Sequence, residues 1–296
     1  MVQSLNFKNI LVTGANGQLG TSLKQVMRDN GIPEDKFHFT DIDTLDITDP
    51  TAVNSFCRDR SVDAIVNLSA YTQVDKAESD RERAFAINAG AVHNLAEAAL
   101  QFGCFMIQIS TDYVFDGEAN TPYKVTDAVA PVSVYGASKA EGERHILSIA
   151  KHAAIIRTAW LYSAYGNNFF KTMMRLGKEK SEISVVNDQR GCPTYAPDLA
   201  KAILSVLAQA DKVDGVEIFH YTNEGNITWY DFAKAIMETS GSHCRVNSVT
   251  SAEYPTPTKR PAYSVLDLSA IKEKFGICIP NWEDGLKRCH KTYQTL

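Results

Sequence analysis

No Cys-x-x-Cys pair occurs among the six cysteines (Cys57, Cys104, Cys192, Cys244, Cys278, Cys289). Their scatter argues against a zinc knuckle or a disulfide framework and fits reduced thiols in a cytoplasmic protein. No apolar run approaches the roughly 20 residues needed to cross a bilayer. Met1–Lys8 is polar and leads straight into a strand-like run, which predicts no secretory signal peptide. An excess of one charge is also missing: the formal net charge is −5 over 296 residues. No general attraction to nucleic acid or to an anionic membrane follows, so an anionic ligand must be held by a local site. Internal repeats and low-complexity tracts are absent, and the histidines show no metal-ligand spacing.

What is present reads as an α/β protein. Asn9–Thr13, Lys36–Asp41, Ala64–Leu68, Phe105–Ile109 and Ala154–Ile156 are short apolar runs. Helix signals separate them: Gln18–Asp29 closed by Asn30-Gly31, Pro50–Arg60 capped by Thr48 or Asp49, Glu82–Phe102, and Ser133–Lys151. Strands alternating with helices predict a Rossmann-type, doubly wound parallel sheet over residues 1–161. Beyond Trp160 the pattern is mixed. Helices are expected near Phe169–Glu179, Pro197–Gln209, Trp229–Met237 and Trp282–Tyr293, and strands near Ile183–Val186, Glu217–His220 and Arg245–Ser248. Residues 162–296 therefore read as a smaller mixed α/β substrate-binding domain, partly interleaved with the first.

Gly14-Ala15-Asn16-Gly17-Gln18-Leu19-Gly20 follows a strand and opens a helix. Gly14 permits the tight turn, Gly17 lets backbone approach a pyrophosphate, and Gly20 lets the helix pack closely on the strand. Asp41, 21 residues after Gly20, ends the second strand, where a carboxylate can bond a ribose 2′-hydroxyl; Asp43 can serve instead. No arginine stands beside Asp41 to receive a 2′-phosphate, so NADPH and NADH both remain open. Asp46-Ile47 falls where an adenine ring would rest.

Tyr135 and Lys139 are four residues apart, which on a helix puts both on one face. A free phenol has a pKa near 10 and is a poor proton donor at neutral pH, and a nearby ammonium is expected to lower it. Tyr135 would then protonate a carbonyl oxygen while a nicotinamide delivers hydride, with Lys139 also holding the nicotinamide ribose. Ser110-Thr111-Asp112 ends the fourth strand, and the Thr111 hydroxyl can bond the same oxygen.

These motifs together resemble the extended short-chain dehydrogenase/reductases. The resemblance narrows to the dTDP-4-dehydrorhamnose reductase family through Ala70–Glu78, Ser110–Gly117, Arg157–Tyr162, Gly166–Phe169, Asn187–Thr194 and Tyr254–Pro261. It implies reduction of the C4 keto group of a dTDP-linked 6-deoxyhexose, a step of dTDP-rhamnose and polysaccharide biosynthesis. It implies a catalytic set of Thr111, Tyr135 and Lys139. Gly17, Gln18, Leu19, Asp46, Ile47, Ala70, Tyr71 and Thr72 would line the coenzyme, and Thr111, Asp112 and Trp160 would contact the sugar nucleotide. Magnesium bridges some dimers of the family through glutamates; Ser22 stands where one such glutamate is expected, so no metal is assigned. A monomer or homodimer is expected.

Trp160 can stack on the sugar or its base, or pack in the core. Arg190 and Arg260 can grip a diphosphate bidentately, and Asn168 joins the substrate set or caps a helix. Two rivals stand beside the reductase. One is a sugar-nucleotide dehydratase or epimerase of the same fold, although Asp112 is followed by Tyr113 and not by a second acid. The other is a non-catalytic regulatory subunit like the partner of methionine adenosyltransferase, although Tyr135 and Lys139 are both kept.

Overall fold

The computed structural model describes residues 5–296; Met1–Ser4, within the segment read for a signal peptide, lie outside the described residues. Strands β1 (Ile10–Thr13), β2 (Phe37–Phe39), β3 (Ala64–Asn67), β4 (Phe105–Thr111) and β5 (Ala153–Thr158) form one sheet with a later strand, Val216–His220. All pairings are parallel, in the order Val216–His220, β5, β4, β3, β1, β2.

Strand residues alternate between two apolar layers, because successive side chains leave opposite faces. Ile10, Val12, Ala64, Val66, Phe105 and Ile107 enter one core. Leu11, Ile65, Met106 and Ile155 enter the other. Helices cover both faces, as a parallel sheet requires. Helix α1 (Gln18–Asp29) and helix Ala196–Ala208 cover the first; α2 (Pro50–Asp59) and α5 (Ala91–Phe102) cover the second. Asp49 caps α2 through the backbone N–H groups of Thr51 and Ala52.

The single helix expected over Glu82–Phe102 is interrupted. After α3 (Val74–Ala77) and α4 (Arg81–Phe85), Ala86–Gly90 widens into a π-turn before α5. The widened turn carries Asn88, whose amide bonds Tyr71 O and Ser138 Oγ, at 3.0 Å each, and whose oxygen accepts Tyr71 N at 2.9 Å. Helix α6 (Val134–Ile149) follows, with Ser133 as its N-cap.

Beyond β5 a third apolar cluster gathers α7 (Phe169–Glu179), helix Trp229–Ser240 and helix Trp282–Gln294 around Phe170, Phe232 and Trp282. Short strand pairs flank it: Leu161–Tyr162 with Thr194–Tyr195, Arg190–Gly191 with Ile227–Thr228, and Glu182–Val186 with Arg245–Val249. Helix Ser269–Phe275 had no counterpart in the sequence pattern. Among the described residues, no helix is long and apolar enough to cross a membrane.

Candidate active site

Strand order reverses between β1 and β3, and in such sheets a crevice opens beyond the carboxyl ends of the two strands at that point. The glycine loop leaves β1 there, and Leu68–Thr72 leaves β3 beside it. Gly14 has φ +66°, and a Cβ on it would lie 2.7 Å from Ser69 N. A Cβ on Gly20 would lie 2.6 Å from the Ala15 backbone. Gly17 caps α1 without any side-chain hydrogen bond, so the first-turn N–H groups have no side-chain acceptor. Free donors and the positive end of the helix dipole make a cradle for a pyrophosphate, and the residues present fit a dinucleotide.

Asp41 braces this loop. Its carboxylate accepts Asn16 N and Ile42 N, each at 2.9 Å, which leaves lone pairs for a ribose hydroxyl. Asp43 is exposed. Asp46 is exposed and held below the usual carboxylate range by its bonds from Thr48; Ile47 beside it is buried. Ala70 is half-buried, Thr72 is exposed, and Tyr71 is buried and fixed by Asn88. Leu19 packs into the sheet core. Gln18 reaches across the cleft: its amide donates to Leu161 O at 3.2 Å, and its oxygen accepts from Asn168 Nδ2 at 3.3 Å.

A buried polar rail runs across the strand ends. Thr13 Oγ1 donates to Asn67 Oδ1 at 2.6 Å, Asn67 Nδ2 to Gln108 Oε1 at 2.7 Å, and Gln108 Nε2 to Ile109 O at 2.7 Å. Lys139 Nζ joins at Ile109 O, 2.6 Å away. The structure thereby brings Lys139, Tyr135, Thr111 and Asp112 together at the end of β4 and the first turns of α6. Tyr135 lies edge-on to Tyr113, with ring centres 5.5 Å apart. Thr111 Oγ1 donates to Asp112 Oδ1 at 2.9 Å, while the buried Asp112 Oδ2 has no partner.

The expected acidification of Tyr135 by Lys139 is not what this geometry gives. Burial pushes the phenol well above its ordinary value, the Thr111 hydroxyl pulls it down, and Asp112 raises it again. The ammonium is instead directed at Ile109 O. Burial pushes Lys139 down to about 8, with Glu143 working in the opposite direction, and Asp112 up to about 6. Desolvation outweighs the i,i+4 spacing, because both side chains sit in a water-poor layer.

The remaining residues are more dispersed. Trp160 has φ +49° and stacks on Trp229. Arg190 is exposed and bonds Asn226 through Nε at 2.9 Å. Arg260 is engaged by Asp75 at 2.5 Å and by Tyr113 OH at 3.0 Å, so it touches the aromatic ring that abuts Tyr135. Asn168 is used by the fold: it caps α7 through Lys171 N at 3.1 Å and donates to Ser163 O at 2.9 Å and Tyr165 O at 3.0 Å. Sequence reasoning passed over Glu143 and Asn88. Glu143 had a signal, since it continues the Tyr135–Lys139 face by four more residues; Asn88 had none.

Among the described residues, no group of three or more His, Cys, Asp or Glu side chains is placed to hold a metal ion. The family model for the RmlD substrate binding domain matches residues 8–295. A dTDP-4-dehydrorhamnose reductase of Aggregatibacter actinomycetemcomitans is 42% identical, over 94% of this chain and 97% of its own. A solved dTDP-4-dehydrorhamnose reductase of Clostridium acetobutylicum superposes with a TM-score of 0.91 at 41% identity, covering 97% of this chain and 99% of its own. That of Bacillus anthracis, solved in complex with NADP, also gives 0.91, at 37% identity and the same coverages. A match of this extent and similarity shows that the chain belongs to the dTDP-4-dehydrorhamnose reductase family.

Proposed function

We propose that this protein reduces the C4 keto group of dTDP-4-dehydro-6-deoxy-L-mannose to give dTDP-L-rhamnose, using NADPH or NADH. The observation that carries this reading is the meeting of Thr111, Tyr135 and Lys139 beside a glycine-loop cradle, in a chain 42% identical to a named reductase. Gly14, Gly17, Gln18, Leu19 and Gly20 would hold the pyrophosphate. Asp41, Asp46, Ile47, Ala70, Tyr71 and Thr72 would border the nucleoside, and Tyr135 and Lys139 the nicotinamide ribose. A reduced nicotinamide bound there supplies the hydride.

The protein's own residues manage the proton. A phenol raised by burial keeps its hydrogen at neutral pH, as an acid that protonates a nascent alkoxide must. Thr111 bonds the carbonyl oxygen and steadies its growing charge. Once the proton has left, the Lys139 ammonium one helical turn away would offset part of the phenolate's charge, a smaller effect than the burial that keeps the resting phenol protonated. Residues 162–296 supply most of the sugar-nucleotide contacts, through Trp160 at their border, Arg190 and Arg260, with Asp112 and its unpartnered oxygen opposite. Asn168 acts through Gln18 and the α7 cap. The position after Asp112 carries Tyr113, whose ring packs on Tyr135, so the paired acids of a dehydratase are not formed. The same reading places the protein in the cytoplasm as a monomer or homodimer.

The test is turnover. Purified protein given the keto-sugar and each coenzyme should consume one reduced nicotinamide per sugar and release dTDP-L-rhamnose. Absence of consumption with both coenzymes sinks the proposal.

A further inference from the structure

Lys139 is 4% exposed and makes one hydrogen bond, although an ammonium has three donors. One turn further along α6 lies Glu143, 3% exposed. Its carboxylate is pinned from two strands. Ser110 Oγ donates to Oε1 at 2.5 Å, Arg157 Nε donates to Oε1 at 2.9 Å, and Arg157 Nη2 donates to Oε2 at 2.6 Å. Ser110 and Arg157 are register partners across β4 and β5. Ser110 also stands between Ile109, whose carbonyl holds Lys139, and Thr111.

The Glu143 carboxylate thus bonds the Arg157 guanidinium directly and lies one helical turn from Lys139, with both side chains in a layer closed to water. The other groups facing it are accounted for. His220, beside Arg157 in the next strand, is fully buried with neither ring nitrogen bonded. Burial and Arg157 push it down to about 4, so it stays neutral. Tyr135, Tyr113 and Asp112 lie on the cleft side, where burial raises all three. Arg157 does not release a proton in proteins.

We propose that Glu143 is a positioning residue for the reaction: locked by Ser110 and Arg157 one helical turn beyond Lys139, it keeps charged the amine that Ile109 O holds beneath the cleft. This rests on the reductase reading of Tyr135 and Lys139. Burial alone drives Lys139 towards the neutral amine, and Glu143 is the charge that opposes it. An uncharged amine cannot stabilise the phenolate that Tyr135 becomes.

A purely structural role, neutralising Arg157, is the competing account, and Glu143→Gln alone does not separate them because it strands a buried guanidinium. The double variant Glu143→Gln/Arg157→Met removes the pair together. It should lose about threefold in kcat at pH 7.5 and close to tenfold at about pH 9, keep KM for the sugar within about twofold, and move the alkaline limb of its kcat profile down by about one pH unit, equivalent to about 1.4 kcal/mol in Lys139 protonation. The Lys139 13Cε resonance, titrated without substrate or coenzyme, should shift by the same amount. Glu143→Asp keeps an anion for Arg157 and should move both readouts the same way by less. Wild-type limb and titration in both variants would overturn the proposal. Should the wild-type protein reduce no keto-sugar, the reading of the reaction falls, while the ligand-free titration still decides the role of Glu143.

Discussion

Trp160 and Trp229 lie face to face, with ring centres 3.7 Å apart and planes within 14°. They are 69 positions apart in the chain, and Phe169 closes on Trp229 at 4.6 Å. Trp160 takes a backbone conformation rare for a bulky residue, with φ +49°. Gly191 leaves room for its ring, since a Cβ there would lie 2.7 Å from the indole. Three distant segments thus fix one indole, whose strained backbone is the kind found at functional sites.

On the proposed role of Trp160 as a sugar contact, removing its support should weaken substrate binding without touching the chemistry. Trp229→Ala is expected to raise KM for the keto-sugar by up to roughly tenfold, since an aromatic pair contributes about 0.5–1.5 kcal/mol, with kcat within about twofold. Trp229→Phe should restore most of it. Steady-state kinetics check this; a fall in kcat at constant KM would contradict it.

Tyr135→Phe should cut turnover by about a hundred- to ten-thousand-fold, the range for loss of a positioned proton donor. Coenzyme affinity, followed by nicotinamide fluorescence, should stay within about threefold. An active Phe variant would remove Tyr135 from the mechanism.

Two glycines of one loop should fail in different ways. Gly17 has φ −71°, and a Cβ there meets only Gly14 O, at 3.3 Å. Gly17→Val is therefore expected to fold with a nearly unchanged Tm and to lose coenzyme binding, because its branches enter the pyrophosphate space. Gly20→Ala drives a methyl into the Ala15 backbone at 2.6 Å. It should lower Tm by several degrees as well, since the helix must move off the strand. Melting curves with and without coenzyme distinguish the two outcomes.

Asp112 should leave a signature in stability. An ordinary aspartate titrates near 3.9, whereas burial pushes this one up to about 6. Between those values the folded protein holds the proton and the unfolded chain does not. Its contribution to stability therefore falls as pH rises through that window. Two pH units at about 1.4 kcal/mol each amount to about 3 kcal/mol. Asp112→Asn cannot titrate, so its stability relative to wild type should improve by that order between pH 4 and pH 7, even as activity drops. Denaturant unfolding at both pH values checks this; an equal difference at both would refute the buried-acid assignment.

Much of this architecture could be read from local pattern. Phe169–Glu179 is a helix over the residues its periodicity predicts, and Asp49 caps α2 as its spacing before Pro50 suggests. The glycine loop opens α1 because strand, turn and helix signals coincide there. What was illegible depended on partners distant in sequence. The π-turn at Ala86–Gly90 has no composition signal of its own; Asn88 is engaged there by Tyr71 and Ser138, 17 and 50 residues away. The proton affinity of Tyr135 was misread because four-residue spacing to Lys139 says nothing about burial, and burial decides it. Arg260 was read as a diphosphate ligand, and its ion pair with Asp75, 185 positions away, had no trace in either segment.

The late return of Val216–His220 to the edge of the sheet limits how the molecule can be taken apart. A chain cut after residue 161 would bare one side of β5 and strip helix Ala196–Ala208 from the face it shares with α1. The front half is thus no free-standing cassette. Any chimera that trades residues 162–195 and 221–296 between relatives must splice in three places, keeping 196–220 with the first 161 residues, or its hybrid will aggregate along an open β-edge.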